Sequence, residues 1–256
     1  MGNKKFYTID SNGESEIRDL EREERFFTWE KYQNGELDAY NYQWHENFNN
    51  YIYDDLGCDY ERYGCYIKPN DVVLDIGANI GVFSHRAEIR GASKVIAFEP
   101  MSLTFECLSK NKGNKTVVYK NAVGGKYGFK EFSIHTSFNN LGGVTNNEQD
   151  KKMFSNKTIH TENVFVVNIN DIFKSYNNEI NFMKIDIEGG EVEVLNNITD
   201  DNLKSLRCLS AEFHKTYEEF DSFQDKFIHR MEKLGFKCFT VYHGDGNLRT
   251  LNLWKK

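Results

Sequence analysis

Residues 72–83, with the sequence Val-Val-Leu-Asp-Ile-Gly-Ala-Asn-Ile-Gly-Val-Phe, decide the fold class. The first five form an apolar run that is typical of a buried strand, and a helix is predicted over residues 79–90. Gly77 lets the chain turn at the end of the strand, and Gly81 is expected to let the helix pack closely on it. A strand, a glycine turn and a helix in this order predict a ligand cradle at the carboxyl edge of a parallel sheet.

From Asp71 onward, predicted strands alternate with predicted helices along the chain. The further strands are expected at residues 95–98, 117–119, 128–135, 164–169, 182–187, 207–213, 236–242 and 248–254. The further helices are expected at residues 102–112, 190–197 and 217–234. This alternation predicts an α/β fold in which helices cover both faces of a mostly parallel sheet. The last two strands should be antiparallel neighbours, because only a short turn joins them.

The composition divides the chain into two parts. Residues 1–69 carry 15 of the 37 aromatic residues and, with 15 acidic and 8 basic residues, the whole net charge of −7. Residues 70–256 contain 24 of each sign. A helix with one apolar face is predicted over residues 14–33. We therefore predict an acidic, aromatic extension at 1–69, packed on the main domain at 70–256 or capping a binding cleft.

Several classes of protein are disfavoured by the same composition. The sequence has no basic tract that could neutralise a phosphate backbone, so a nucleic-acid partner is not expected. It has neither an apolar run of about 20 residues for a membrane span nor the pattern of a signal peptide. Its five cysteines include no Cys-x-x-Cys pair, which predicts free thiols in the reducing cytoplasm. The oligomeric state stays open, with a dimer through the N-terminal extension as one option.

The spacing of the glycines indicates which ligand the cradle accepts. A dinucleotide fingerprint needs Gly-x-Gly-x-x-Gly so that a pyrophosphate can approach bare backbone, but Asn79 stands where the middle glycine would be. Asp75 adds a carboxylate, which repels a pyrophosphate and attracts an amino group or a sulfonium. The loop thus favours a cationic ligand without phosphate, such as S-adenosylmethionine.

Two further positions are typical of nucleoside recognition. Glu99 ends the second strand, 24 residues after Asp75, where an acid accepts hydrogen bonds from ribose hydroxyls. Enzymes that use NAD share this feature, so Glu99 indicates a nucleoside without identifying it. Asn121 and Ala122 follow the third strand, where the edge of an adenine is expected.

With these motifs in order, the chain resembles the class I S-adenosylmethionine-dependent methyltransferases, and in particular the FkbM family. The resemblance rests on five blocks at residues 73–84, 95–100, 121–124, 182–195 and 209–214. The most specific is Lys-Ile-Asp-Ile-Glu-Gly at residues 184–189. Membership implies a Rossmann-like fold with a seven-stranded sheet, and usually O-methylation, often of a sugar hydroxyl in a glycan or natural product.

The resemblance also assigns residues to the site. It implies cofactor contacts at Asp75, Gly77, Asn79, Gly81 and Glu99, and an active site at Asp186 and Glu188. With their neighbours along the chain, the residues predicted to bind the cofactor are Asp75, Gly77, Ala78, Asn79, Gly81, Glu99, Pro100, Asn121, Ala122 and Asp186.

Methyl transfer requires that the acceptor is aligned with the cofactor and often that its proton is removed. The candidate catalytic residues stand at the ends of two strands and are Asp186, Glu188, Glu212 and His214. Three roles remain open. His214 is the base, oriented by Glu212 or Asp186; or Asp186, Glu212 and His214 bind a divalent cation; or Asp186 and Glu188 only position the cofactor or the acceptor.

Other side chains near these motifs receive structural interpretations. Lys184 is expected to pair with a nearby acid, and Glu191 and Glu193 to complement a helix dipole. Tyr60 is expected to pack in the aromatic layer, with contact to the cofactor or a sugar as the alternative. The polar loop at residues 138–163 is the candidate acceptor loop, because long loops in compact domains tend to bind ligands.

The sequence therefore predicts an S-adenosylmethionine-dependent O-methyltransferase whose acceptor is a sugar hydroxyl in a glycan or glycosylated natural product. A nucleotide-dependent oxidoreductase or epimerase is the alternative enzyme class. A non-catalytic ligand-binding module is the alternative outside enzymes.

Overall fold

The computed structural model describes residues 5–9, 15–19, 58–135, 142–144, 158–214, 220–243 and 248–255. The strands within these ranges are β1 (Lys5–Ile9), β2 (Ser15–Asp19), β3 (Val72–Ile76), β4 (Lys94–Phe98), β5 (Thr116–Tyr119), β6 (Ala122–Gly124), β7 (Gly128–His135), β8 (Gly142–Val144), β9 (Thr158–Asn168), β10 (Phe182–Ile185), β11 (Cys208–His214), β12 (Lys237–His243) and β13 (Leu248–Trp254). The helices are α1 (Val82–Ile89), α2 (Ser102–Asn111), α3 (Ile169–Ser175), α4 (Glu191–Asn197), α5 (Asp200–Ser205) and α6 (Phe220–Lys233). None of these helices combines the length and the apolar character that crossing a membrane requires.

A seven-stranded sheet forms the centre of the molecule, in the order β12-β13-β11-β10-β3-β4-β5. The strands β11, β10, β3, β4 and β5 are parallel to one another, whereas β13 runs antiparallel to both β11 and β12. The sheet is therefore mixed but mostly parallel, as the sequence predicts. The predicted antiparallel pairing of the last two strands is confirmed.

Helices cover both faces of this sheet. Val73 and Leu74 are adjacent on β3, so their side chains point to opposite faces. Val73 packs in one buried cluster with Phe83 of α1, and Leu74 packs in another with Phe227 of α6. The predicted Rossmann-like arrangement is thus confirmed by the packing as well as by the strand order.

A second sheet of four strands, in the order β6-β9-β7-β8, stands beside the carboxyl edge of the first. The sequence predicts strands at 128–135 and 164–169, and the structure confirms both. However, β9 begins at Thr158, six residues earlier than expected, because pairing with the whole length of β7 extends it.

Two short helices were not predicted, although each has a capping signal. The Asn168 side chain accepts a hydrogen bond from the backbone N–H of Asn170 at the start of α3. The Thr199 side chain does the same for Asn202 at the start of α5. Such caps satisfy amide groups that the first turn of a helix leaves unpaired, and reading them would have located both helices.

The N-terminal extension differs from the expectation in one respect. Residues 15–19 form β2, which pairs antiparallel with β1, so the helix predicted over 14–33 is wrong for these five residues. Their segment contains a single apolar residue, Ile17, and pairing with β1 satisfies the backbone that a helix would otherwise satisfy. Residues 20–33 lie outside the described part of the chain.

Residues 58–67, the last part of the extension, belong to the core. Cys58, Tyr60, Cys65 and Ile67 are buried in one cluster with apolar residues of β3, β4 and α1. Beside them, the carboxylate of Glu61 accepts a hydrogen bond from the guanidinium of Arg86, and both side chains are almost completely buried. This segment therefore packs on the main domain.

Candidate active site

The loop after β3 has the backbone conformation that its glycines predict. The contacts that require glycine, however, differ from those expected. Gly77 and Gly81 have φ angles of +77° and +94°. A Cβ atom at Gly77 would lie 1.7 Å from the backbone oxygen of Asp186, and one at Gly81 would lie 2.8 Å from Leu108 of α2. Gly77 is thus required by the approach of the loop after β10, and Gly81 by α2 rather than by β3.

Glu99 holds this loop from the neighbouring strand. Its carboxylate accepts hydrogen bonds from the backbone N–H groups of Asn79 (2.9 Å) and Met101 (3.1 Å) and from the hydroxyl of Thr104 (2.6 Å). Burial raises the pKa of Glu99 above its usual value. The acid predicted to bind a ribose therefore also connects the ends of β3 and β4.

A cavity of about 180 Å³ opens between these strand ends and the second sheet. Eight predicted site residues are part of its wall: Gly77, Asn79, Glu99, Pro100, Asn121, Ala122, Asp186 and Glu188. The remaining residues of the prediction, Asp75, Ala78, Gly81, Glu212 and His214, are not part of that wall.

Asp75 is fully buried and is not part of the cavity wall. One carboxylate oxygen accepts a 2.6 Å hydrogen bond from the hydroxyl of Ser84. The other, Oδ1, has no hydrogen-bond partner among the described residues and lies 3.5 Å from the Nζ atom of Lys184. Burial raises the pKa of Asp75. Direct contact of this carboxylate with a cofactor stays a prediction.

Lys184 is the centre of a buried group of charges. Its ammonium donates a 2.7 Å hydrogen bond to the backbone oxygen of Gly77 and lies 3.4 Å from the carboxylate of Asp186. Burial lowers the pKa of Lys184, but Asp186 and Asp75 outweigh it and raise the pKa above its usual value. The prediction that Lys184 pairs with a nearby acid is confirmed.

The four candidate catalytic residues come together, because the parallel strands β10 and β11 end side by side. The Nε2 atom of His214 lies 3.2 Å from a carboxylate oxygen of Glu188 and 3.9 Å from one of Glu212. The hydroxyl of Tyr60 contacts the carboxylates of Asp186, at 2.9 Å, and Glu212. The structure thus confirms their proximity.

The charges in this cluster shift the pKa values in opposite directions. Burial and the charge of Asp186 raise the pKa of Glu188 to about 8 and that of Glu212 to about 7. Burial also acts to raise the pKa of Asp186, but Lys184 and His214 hold it below its usual value. Burial alone would lower the pKa of His214, whereas the carboxylates of Glu191 and Glu188 raise it to about 10.

Three members of the site were interpreted differently from the sequence. Tyr60 is both buried and in contact with the carboxylates. Glu191 is buried, and its Oε1 atom lies 3.1 Å from the Nδ1 atom of His214. Glu193 is part of the cavity wall and pairs with Lys130 of β7. Burial of an acid in a first helical turn has no local signal, so the pattern alone could not distinguish Glu191 from a solvated helix acid.

A group of three side chains has the composition of a metal site. Asp186, Glu188 and His214 each offer one ligand atom, and these atoms all lie within 4.8 Å of one another. The group predicted from the sequence contains Glu212 in place of Glu188. Two carboxylates and an imidazole suit a divalent cation, although His214 would first have to release a proton that its acidic neighbours stabilise.

Most of the candidate acceptor loop lies outside the described part of the chain. Of residues 138–163, only 142–144 and 158–163 are among those that the structure describes. The proposed role of this loop therefore stays a prediction.

Comparison with protein families matches residues 75–238 to the methyltransferase FkbM domain. Among curated relatives, 31-O-demethyl-FK506 methyltransferase FkbM of Streptomyces tacrolimicus is 26% identical over 64% of this chain and 74% of its own length. Hexuronic acid methyltransferase AglP of Haloferax volcanii is 29% identical over 57% of each chain.

Two further matches cover only part of the other protein. AMB antimetabolite synthetase AmbE of Pseudomonas aeruginosa is 25% identical over 66% of this chain, but the chain covers only 10% of that protein. Among solved structures, methyltransferase FkbM from Methylobacillus flagellatus KT has 15% identity and a TM-score of 0.49, covering 85% of this chain and 56% of that one.

Proposed function

The chain belongs to the FkbM methyltransferase family, and from this premise we propose that it methylates a hydroxyl oxygen of a sugar, in a glycan or glycosylated natural product. The names of two relatives support the proposal, since one specifies a 31-O-demethyl substrate and the other a hexuronic acid. The observation that carries it is the cluster of Asp186, Glu188, Glu212 and His214 beside the cavity of about 180 Å³. The five cysteines of the chain are free thiols, which suits a location in the reducing cytoplasm.

S-adenosylmethionine, when bound, supplies a methyl group activated by its sulfonium. We assign the ribose to Glu99, whose carboxylate lies on the cavity wall, and the adenine edge to Asn121 and Ala122. Asp186 would hold the sulfonium side of the cofactor, because it lies on the wall next to the Gly77 loop. Lys184 keeps Asp186 ionised, which favours a cationic ligand at this position.

We further assign the removal of the acceptor proton to Glu188. His214 lies between two glutamates that raise its pKa to about 10, so at neutral pH it carries a proton and is a poor base. Glu188 is on the cavity wall and has a pKa of about 8, close to the value at which a general base works best near neutrality. The protonated His214 then stabilises the carboxylate of Glu188.

A divalent cation held by Asp186, Glu188 and His214 is the alternative to this assignment. Such an ion would lower the pKa of the acceptor hydroxyl and so replace the base. Calorimetric titration with Mn²⁺ distinguishes the two. Saturable binding that Glu188→Gln abolishes favours the metal, and absence of binding favours the carboxylate.

Calorimetric titration of the full chain with S-adenosylmethionine, with NAD in a parallel cell, tests the function. We expect S-adenosylmethionine to bind and NAD not to bind. Glu99→Gln should weaken the affinity at least about tenfold, because a charged acceptor for hydroxyl groups is worth about 1.5–3 kcal/mol. The matched control Glu106→Gln changes an exposed acid of α2 and should leave the affinity unchanged.

Two outcomes would support the other functions. Binding of NAD alone would favour a nucleotide-dependent oxidoreductase or epimerase. Binding of S-adenosylmethionine without methyl transfer to any hydroxyl, across a broad panel of glycans and small molecules, would favour a non-catalytic binding module.

A further inference from the structure

Glu191, the first residue of α4, is 1% exposed. Its carboxylate makes several contacts. It accepts hydrogen bonds from the backbone N–H of Ile187 at 3.2 Å and from that of Gly189 at 3.0 and 3.1 Å. The same carboxylate lies 3.1 Å from the Nδ1 atom of His214, on a different strand. A role in complementing the helix dipole explains none of these contacts, because that role needs no burial.

The hydrogen bonds from the backbone to Glu191 stabilise a loop with positive φ angles. Glu188 and Gly189 have φ angles of +54° and +108°. A left-handed conformation is strained at a non-glycine residue such as Glu188. The N–H groups on both sides of Glu188 donate to Glu191, so this carboxylate stabilises the turn that places the Glu188 side chain on the cavity wall.

The Glu191 carboxylate also contacts the imidazole ring of His214, on β11. Glu188 and Glu212 both lie on the Nε2 side of the imidazole ring, whereas Glu191 lies on the Nδ1 side. A carboxylate on Nδ1 fixes the rotation of the ring, and therefore the direction in which Nε2 points; when the ring is neutral, it also fixes the tautomer. This holds whether His214 stabilises Glu188 or binds a metal ion.

We propose that Glu191 is a positioning residue, whose carboxylate orients Glu188 through the loop at 187–189 and His214 through its Nδ1 atom. The inference rests on the proposed function, because it assumes that Glu188 and His214 face the acceptor. It adds a residue that does not itself lie on the cavity wall.

Nitrogen-15 NMR of the histidine side chains tests the proposal in the full chain and needs no acceptor. The His214 signals are assigned by their loss in His214→Gln. In the parent chain and in Glu191→Gln, whose amide oxygen can still accept, we expect a protonated Nδ1 with slow hydrogen exchange. In Glu191→Ala, this exchange should accelerate at least about tenfold, the effect of losing one charge-assisted hydrogen bond.

The control is Glu232→Gln, which changes an exposed glutamate 3.8 Å from the Nδ1 atom of His229. It should leave the His214 signals unmoved. Unchanged exchange at His214 in Glu191→Ala would overturn the proposal. If that variant does not fold, Glu191→Gln decides: its Nδ1–H resonance must move, since the acceptor has lost its charge, and an unmoved resonance overturns the proposal equally.

Titration of the same variants with S-adenosylmethionine separates this inference from the proposed function. The control Glu232→Gln should bind S-adenosylmethionine like the parent chain, because Glu232 is exposed and is not part of the cavity wall. A parent chain that does not bind S-adenosylmethionine contradicts the proposed function and leaves the NMR result standing.

Discussion

At the scale of single residues, the cluster around Asp186 holds protons that an unfolded chain would release. The pKa of Glu188 rises from 4.5 to about 8, and that of His214 from 6.5 to about 10. Both side chains are less than a third exposed, so solvent screens them only in part. The protonation of these two residues is therefore coupled to the stability of the fold.

We predict that the free energy of unfolding falls as the pH rises from about 6 to about 9. In the native state Glu188 keeps its proton until the pH rises through about 8 and His214 until it rises through about 10, whereas in the unfolded state the glutamate has already lost its proton and the histidine loses its own above pH 6.5. The stabilisation by each group is complete below its unfolded pKa and is lost as the pH rises through its folded pKa. The decrease should reach at least about 1 kcal/mol, measured by urea denaturation at both pH values.

Two variants separate this effect from a general response to pH. Glu188→Gln cannot titrate and should show a smaller decrease between the two pH values. Asp201→Asn changes a carboxylate with 89% of its side chain exposed and should behave like the parent chain. A stability that stays constant or increases towards pH 9 would contradict the pKa values at the site.

At the scale of secondary structure elements, the segment at residues 58–67 and helix α1 are joined by a buried ion pair. The Glu61 carboxylate bonds to the guanidinium of Arg86 and also accepts the backbone N–H of Ile67 at 2.8 Å. Arg86 is fully buried in the middle of α1. The pair therefore fixes the turn that carries Tyr60 to the active site.

Glu61→Ala should reduce the free energy of unfolding by about 3–5 kcal/mol, because it removes one partner of a buried ion pair with Arg86. Urea denaturation measures the loss. Asp201→Ala is the control: it removes an exposed ion pair with Lys204 and should cost less than about 1 kcal/mol. Similar losses in the two variants would mean that water reaches the Glu61–Arg86 pair.

At the scale of the whole molecule, the boundary predicted at residue 69 does not coincide with the limit of the core. Four apolar side chains of the segment at 58–67 are buried against the main sheet and α1. Burying each contributes about 1.5–3 kcal/mol, and the ion pair adds to this. Their sum is comparable to the total stability of a typical domain.

A chain of residues 70–256 should therefore be less stable than one of residues 58–256 by more than about 5 kcal/mol, and should lack a cooperative unfolding transition. Circular dichroism during urea denaturation of both chains compares them directly, and their difference isolates the contribution of residues 58–69. Equal unfolding free energies would show that a domain boundary does lie at residue 69.

Local signals in the sequence determined much of the fold and part of the site. The alternation of apolar strands with helices predicted the main sheet, since burial on both faces imposes continuous apolar runs on parallel strands. The positions of Asp186, Glu188, Glu212 and His214 at strand ends predicted their meeting, because parallel strands end at one edge of a sheet. The spacing of Gly77 and Gly81 likewise predicted the turn that follows β3.

The pairing of side chains in the rest of the site depends on contacts between residues that are distant along the chain. Asp75 faces Lys184, 109 positions later, instead of the cavity, and Tyr60 reaches Asp186 across 126 positions. Glu191 could be recognised as part of the site only once β11 had brought His214 to it. Local patterns report which faces are buried, whereas only the packed tertiary structure determines which buried charges become partners, because that choice depends on distance and desolvation in space.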